Sequence, residues 1–563
     1  MDSYIQSRCQ SMDLFSSNLS DLIAISDSSA VKYKNGKDLQ QRLVGRFYTP
    51  ELIGRQLIDD LPDLEAVSFS ELKIIDPFCG DGRLIKYYLE YLASCPQLIS
   101  VNKICVSLWD CEAESVKLAA KMIGSFQHYK FKEVVVDERI CDSFFEIENN
   151  LGKFDICLTN PPWEVLKPDA REMFSLTDEQ AAEYTKMIKA KAFILDRMFP
   201  QARPSRKFSG WGTNLARCGI EAAVKLVRPG GSFGIVAPST LFGDQTSARM
   251  RTWLFEEQDI AKLRYYPAEA RLFDEVDQGT ACISGRRNAE TSGHIKIHLH
   301  SAQDPKESEV IDLRTAELAL NDYAIGFKSS QKIFGIMQKL TRLPRLSDFE
   351  GESNCLKLGR ELDETGLAEK LASTGRLRFL KGRFIQRYSV KEHEPSYVKD
   401  GVSVPSSVNL KRIAWRDVSR QSMPKRMQAT IISPGTVTGN SSNVAIIHSD
   451  CGDIKLKALL AIFNSSVFEI QARTLVSTNH LSVGAVRKMR VPDFRKYCVA
   501  ERLASLVLKF EVLPSMENLY ALDSAVADEF GLSREDYHLT LAFLAKHDPD
   551  AGQMYSLASQ YKI

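Results

Sequence analysis

No cysteine framework is present in this chain. Its 12 cysteines are scattered from Cys9 to Cys498 with no Cys-x-x-Cys pair and no histidine at ligand spacing. That pattern excludes both a zinc ribbon and a disulfide-stapled fold, so the thiols read as buried packing residues and no metal site is expected. Long apolar runs are absent too. None approaches the about 18 residues that a membrane span needs. The N-terminal stretch MDSYIQSRCQSMDLFSS lacks the basic region and apolar core of a secretory signal, so a cytoplasmic protein with no membrane partner is the expectation. An excess of one charge is also missing. With 73 Lys and Arg against 72 Asp and Glu, the net charge is +1, so any phosphate-binding face must come from uneven distribution of charge.

That unevenness exists. Between Gly375 and Met427 there are 13 Lys and Arg against 4 Asp and Glu. Alone, such a stretch reads equally as a solvated charged face or as a nucleic-acid surface. At 563 residues, with 44% hydrophobic and 26% charged residues, the chain is that of a globular protein too long for a single core. From Glu71 to Ile283 short β-rich runs alternate with amphipathic segments. KIID (73–76), ICVSLWD (104–110), VVVDERI (134–140), FDICLTN (154–160) and GSFGIVAP (231–238) read as strands. Arg83 to Leu92 and Glu112 to Ile123 read as helices between them. This is the signature of a doubly wound, Rossmann-like α/β domain around a parallel sheet. From about Asp348 the pattern becomes irregular and basic, as in a second, mixed α/β domain. The stretch from Ala500 is helical in character, with an N-cap arrangement at Ser533 to Asp536. The expected organisation is a helical extension over 1–40, a catalytic domain over 41–330, a recognition domain over 331–499 and a helical segment over 500–563.

The segment KIIDPFCGDGRL (73–84) is a strand ending at Asp76, a loop with Gly80 and Gly82, and a helix start. Small residues there let backbone N–H groups approach a ligand at the carboxyl edge of a sheet. Asp110 closes the second strand, where such sheets place an acid against ribose hydroxyls, and Asp142 follows the third. A lone Asp is more often a turn or cap residue. Three acids at three successive strand ends point to a nucleotide-like ligand.

These residues carry a resemblance. Asp-Pro-Phe-Cys-Gly-Asp-Gly at 76–82 resembles motif I of adenine-specific DNA methyltransferases, and Gly-Arg-Phe-Tyr-Thr-Pro at 45–50 resembles their upstream motif X. The resemblance implies S-adenosylmethionine as cofactor. Thr49 and Pro50 would line its methionine end, and Asp76, Phe78 and Gly80 would form its binding loop. Asp110 would take the ribose hydroxyls, Asp142 the adenine amino group, and Phe144 would pack on that ring. Any contact of Cys79 stays open.

Asn160-Pro161-Pro162-Trp163 closes the FDICLT strand. An exocyclic amine conjugated to a purine is a poor nucleophile because its lone pair is delocalised. Acceptors aimed at its two hydrogens, the Asn160 side-chain oxygen and the Pro161 carbonyl, would favour a more sp3 nitrogen. The prolines stiffen the loop, and Trp163 offers a face to a base drawn out of the duplex. GTNLARCGIEAAVKLVRPGGSFGIVAP (212–238) resembles the family's segment from motif V to VI, and RLFDEVDQGTACI (271–283) its motif VIII. There Phe273 matches the second aromatic against the flipped adenine, with a core phenylalanine as the equal alternative.

Motif X before motif I, motif IV after it, and a large C-terminal region resemble the gamma arrangement of N6-adenine enzymes of type II restriction–modification systems. The similarity spans about Gly45 to Asp493 and points particularly to enzymes serving type IIS endonucleases. It implies a bacterial, monomeric enzyme acting on double-stranded DNA. In the distal part LGRELDETG (358–366), LKGRFIQRY (380–388), RIAWRDVSR (412–420), LLAIFNSSVFE (459–469) and STNHLSVGAVRKMRVPDF (477–494) look like recognition regions. Arg383, Arg387, Lys411, Arg412, Arg416 and Arg420 are the candidate DNA contacts, whereas Asn464, Asn479 and His480 read as turn residues. Pro62-Asp63 with Glu71 and Lys73 matches a nuclease pattern by chance, since Lys73 begins the cofactor strand. A cognate endonuclease on a separate chain is expected. The competing reading is a methyltransferase for ribosomal RNA guanine or protein glutamine, which shares the Asn-Pro-Pro-aromatic loop.

Overall fold

A computed structural model describes most of the chain between residues 48 and 560. Outside it lie 1–47, 63–70, 95–102, 129–130, 132, 169–172, 174–175, 205–210, 245, 274–277, 290–292, 320, 328–329, 352–354, 363–367, 440, 449–451, 477–478 and 561–563. The N-terminal extension expected over 1–40 is therefore outside the described residues. The chain divides into two compact units, Met1–Ala324 and Ile325–Ile563.

The first unit is built on one nine-stranded sheet. In chain order its elements are α1 (Glu51–Asp59), β1 (Glu71–Asp76), α2 (Arg83–Ser94), β2 (Lys103–Asp110), α3 (Ala113–Gly124), β3 (Glu133–Ile140) and β4 (Phe154–Thr159). After these come α4 (Asp178–Met198), α5 (Leu215–Leu226), β5 (Val227–Pro238), α6 (Ala248–Glu257), β6 (Gln258–Tyr266), β7 (Thr280–Arg287), β8 (His294–His300) and β9 (Ser308–Arg314). The strand order is β3-β2-β1-β4-β5-β7-β6-β8-β9. β3 to β5 are mutually parallel, as the alternation of strands and helices predicts. β7 runs antiparallel to both neighbours, so the sheet is mixed rather than parallel throughout. The reason is the short link from Tyr266 to Thr280, whose described residues carry a single 3-10 turn, Ala268–Ala270, and no crossover α-helix, so the chain returns antiparallel.

Parallel strands covered on both faces must be apolar along their whole length, and β4 is buried at every position. Ile74, Ile104, Val106, Leu108, Ile156 and Leu158 form the core with Val116, Ala119 and Ile123 of α3. Cutting one of these isoleucines or leucines back to Ala costs about 2–5 kcal/mol. The chain runs outward from β1 through β2 to β3 and then crosses back to β4. The carboxyl ends of β1 and β4 therefore flank the point where the winding reverses, which is where open α/β sheets hold ligands.

The second unit contains α7 (Gln331–Leu340) and a four-stranded antiparallel sheet of β10 (Leu356–Gly359), β11 (Arg412–Arg416), β12 (Ala429–Ile432) and β13 (Ser442–Ile447). Its order is β10-β13-β11-β12. Helices α8 (Gly452–Asn464), α9 (Ser466–Leu475), α10 (Tyr497–Val512), α11 (Met516–Glu529), α12 (Arg534–Leu544) and α13 (Pro549–Gln560) follow. Ser533 caps α12 in a full capping box with Asp536, as the sequence predicts. The terminal helices have no separate core: Leu503, Val507, Leu541 and Leu544 pack with Ile413, Trp415, Phe463 and Phe468. Asn464 is structural, exchanging both amide hydrogen bonds with the backbone of Ala429.

Candidate active site

The turn after β1 is shaped by two glycines with positive φ, Gly80 at 49° and Gly82 at 77°. A Cβ at Gly82 would stand 2.8 Å from that of Ala119, so only glycine lets this loop lie on α3. Neighbouring strand ends are laced together here. Cys79 N–H donates to the Trp109 carbonyl, and Cys141 N–H to the Asp110 carbonyl, each at 2.9 Å. Asp110 accepts from Gly80 N–H at 2.9 Å and Glu112 N–H at 3.1 Å, so its carboxylate stands directly beside the loop.

Asp76 is buried and accepts from Thr159 Oγ1 at 2.7 Å and Phe78 N–H at 3.1 Å. Burial outweighs those bonds and pushes its carboxyl up to about 7, with Asp110 and Asp81 adding repulsion. The Cys79 thiol is pushed far above its ordinary range by burial and the neighbouring carboxylates, which makes it a packing group. Asp142 N-caps the turn at Ser143–Glu146 through Phe144 N–H, and its other oxygen accepts from Lys191 Nζ at 2.6 Å. Phe144 is buried with its ring centroid 5.0 Å from that of Phe78. Gly80, Asp110, Asp142, Phe78 and Phe144 thus meet at one sheet edge.

The segment at 48–50 joins them through Arg83. Its guanidinium bonds Asp81, donates to the Thr49 carbonyl at 3.1 Å and lies over the Tyr48 ring. Pro50 then begins α1. Thr49 Oγ1 accepts from Asn160 Nδ2 at 3.2 Å. The Asn160 Oδ1 accepts from Trp163 Nε1 at 2.9 Å. Indole nitrogen can only donate, so the amide orientation is determined. Pro161 is buried under α5, and Pro162 is half-buried. Past Trp163 the chain bridges antiparallel to the segment before α5, through Leu166 N–H to Thr213 and Leu215 N–H to Glu164. Phe273 is 6% exposed, and its ring centroid lies 5.4 Å from that of Trp163 at an interplanar angle of 55°. The described residues of the two motif sets are linked to one another by these contacts, and Gly45, Arg46 and Phe47 of the upstream motif lie outside the described residues.

In the second unit the arginines divide. Arg383 and Arg420 are exposed. Arg412 is fully buried and paired with the equally buried Glu361, Nε to Oε1 at 2.8 Å, which corrects its reading as a DNA contact: its charge is consumed inside the fold. Arg387 is corrected likewise. It is 11% exposed, 3.7 Å from Asp523 and 3.5 Å from Asp550. Arg416 is half-buried and spends its donors on the carbonyls of Gly382, Arg383 and Ile385, bracing the loop that presents Arg383. Among the described residues no cluster of His, Cys, Asp or Glu is placed to hold a metal, and no helix is long and apolar enough to cross a membrane.

No protein-family model matches the chain, and no curated protein matches it. Solved structures do. The chain is similar to MmeI, a type IIL restriction-modification enzyme in complex with DNA, at 13% identity and a TM-score of 0.49, covering 92% of this chain and 80% of that one. It is also similar to the type IIG restriction endonuclease BpuSI, at 13% identity and a TM-score of 0.38, covering 93% and 67%. A third is the methyltransferase subunit of a type I restriction-modification system from Streptococcus thermophilus, at 13% identity and a TM-score of 0.34, covering 51% and 60%.

Three contributors to the site escape sequence reasoning. Lys191 lies 49 positions from Asp142, on a helix whose other charges look alike. Gly219 sits inside α5 where its lack of a Cβ admits Pro161. A glycine in mid-helix is the one local hint, because it costs about 1 kcal/mol relative to Ala and so implies a packing reason. Arg83 is visible only as the first residue of α2.

Proposed function

We propose that this chain transfers a methyl group from S-adenosylmethionine to the N6 amine of an adenine flipped out of duplex DNA, within a restriction–modification system. The observation that carries this reading is the rigid Asn160–Trp163 loop at the winding reversal, beside the carboxylates of Asp110 and Asp142.

The cradle fits a nucleoside with a charged tail. Asp110 offers its carboxylate to vicinal hydroxyls, Asp142 can accept from an aromatic amine, and the Phe78 and Phe144 rings make an apolar wall. Gly80 and Gly82 keep the loop backbone open to the ligand. When bound, S-adenosylmethionine supplies an electrophilic methyl on a sulfonium. The chain's own residues do the rest. Asn160 Oδ1 and the Pro161 carbonyl accept the two amine hydrogens and withdraw the nitrogen lone pair from the ring. Trp163, backed by the Phe273 ring packed on it, offers an aromatic face to the base, and the prolines keep the acceptors from swinging away. Holding a base in this alignment supplies much of the rate for transfer from a charged donor.

The order of the motifs, with the large second unit after them, supports the gamma arrangement and a recognition role for that unit. Incubating the purified chain with tritiated S-adenosylmethionine and unmodified duplex DNA should label the DNA, with N6-methyladenine recovered on digestion. Label appearing only on ribosomal RNA or on protein would overturn the proposal.

A further inference from the structure

At one end of the second unit's sheet, an arginine is anchored through one edge of its guanidinium. Arg360 directly follows β10, Asp417 directly follows β11, and Asn443 is the second residue of β13. β13 is antiparallel to both neighbours, so these three positions lie at the same sheet end. Asp417 is 2% exposed, and its two oxygens are divided. Oδ1 accepts from Arg360 Nη2 at 2.8 Å and Asn443 Nδ2 at 3.1 Å, and Oδ2 pairs with His480 Nδ1 at 2.7 Å. Asn443 Oδ1 takes Arg360 Nε at 2.8 Å, while its Nδ2 also donates to the Leu481 carbonyl. The stretch 417–419 pairs with 479–481, through Leu481 N–H to Asp417 and Ser419 N–H to Asn479, so His480 is held by backbone and carboxylate and is no mere turn residue.

The consequence lies in which donors remain. A guanidinium has a side edge, Nε with one Nη2 hydrogen, and an end edge, Nη1 with the other Nη2 hydrogen. Asn443 and Asp417 hold the side edge of Arg360. With that edge held and the side chain 45% exposed, the end edge is the part of the guanidinium left to meet a ligand. The Arg412–Glu361 pair, by contrast, is wholly buried. Two parallel donors held rigidly fit the O6 and N7 acceptors of guanine in the major groove, a pairing that distinguishes guanine from the other bases. Arg383, on the loop that Arg416 braces to the end of β11, adds exposed positive charge near the same sheet end.

We propose that Arg360 reads a guanine of the recognition sequence, with Asp417 and Asn443 as its positioning residues and His480 (side chain 59% exposed) beside it on the same carboxylate. This rests on the reading of the chain as a DNA-binding methyltransferase. The test is selection of bound duplexes from a random-sequence library by full-length wild type, Arg360→Gln and Arg360→Lys, with methylation of the selected pool measured in parallel. Wild type should select a motif containing a guanine whose preference falls about 10- to 100-fold in both variants, with the rest of the motif, the melting temperature and cofactor affinity unchanged. An unchanged motif overturns the inference. So does uniform weakening at all sequences with a salt dependence shallower by about one ion, the mark of a phosphate contact. Because selection reads binding alone, a wild type that selects a motif without methylating it would count against the methyltransferase reading and leave the fate of Arg360 to the motif.

Discussion

Gly219 and Pro161 approach so closely that a Cβ on Gly219 would stand 2.3 Å from the Pro161 Cβ and 3.3 Å from the Phe78 ring. Helix α5 thereby serves as the floor beneath both the Asn160 loop and the loop after β1. Gly219→Ala must push the proline, and overpacking of this kind costs about 1–3 kcal/mol. Methyl transfer should fall at least tenfold while the melting temperature drops by only a few degrees. Full activity in the alanine variant would show that the loop has slack.

Asn160 and Asp110 should fail in different ways. Asn160→Ala removes the acceptor proposed for the target amine and is expected to abolish transfer while sparing most cofactor affinity. Asp110→Ala, which also strips the loop of its bond to Gly80, should weaken cofactor binding tenfold or more by calorimetry. Equal loss of both properties in the Asn160 variant, or an unchanged dissociation constant in the Asp110 variant, would contradict the assigned roles.

The buried carboxyl of Asp76 gives stability a pH dependence of definite sign. Its pKa is raised from the ordinary 3.8 to about 7, so the folded chain holds a proton that the unfolded chain has released between those values. Stability from this group is therefore fully present below about 4, declines as pH rises towards 7, and is flat above. Asp76→Asn should flatten that slope in melting curves taken from pH 5 to 8. An identical slope in both proteins would mean that Asp76 remains ionised throughout.

Arg412 tests the opposite role from that of the exposed arginines. Removing one member of a fully buried pair leaves Glu361 charged and unpaired, at a cost of about 3–5 kcal/mol. Arg412→Ala should lower the melting temperature of the second unit sharply, and Arg412→Met with Glu361→Leu should recover much of it. Weakened DNA binding with an unchanged melting profile would restore Arg412 to the DNA surface.

Local chemistry was legible where it repeats at short range. The apolar run of β4, the positive-φ glycines after β1 and the acids at strand ends are each specified by neighbours a few positions away, so strands, turns and the sheet edge where those acids gather could be read directly. The Asn-Pro-Pro-Trp loop belongs with them, because proline restricts its own backbone and that of its predecessor.

Exposure and partnership were decided only in three dimensions. Within the basic stretch from Gly375 to Met427, counting charges could not separate Arg412, buried against Glu361, from Arg383 on the surface. The reader proposed above, Arg360, lies outside that stretch and is singled out by Asp417 and Asn443, 57 and 83 positions away. Phe273 met Trp163 because the β6–β7 connection brought it there, and sequence alone left it equally a core residue. The physical reason is common to all of these: a charge or ring acquires its role from what desolvates it and what it bonds, and those partners are supplied by distant parts of the chain.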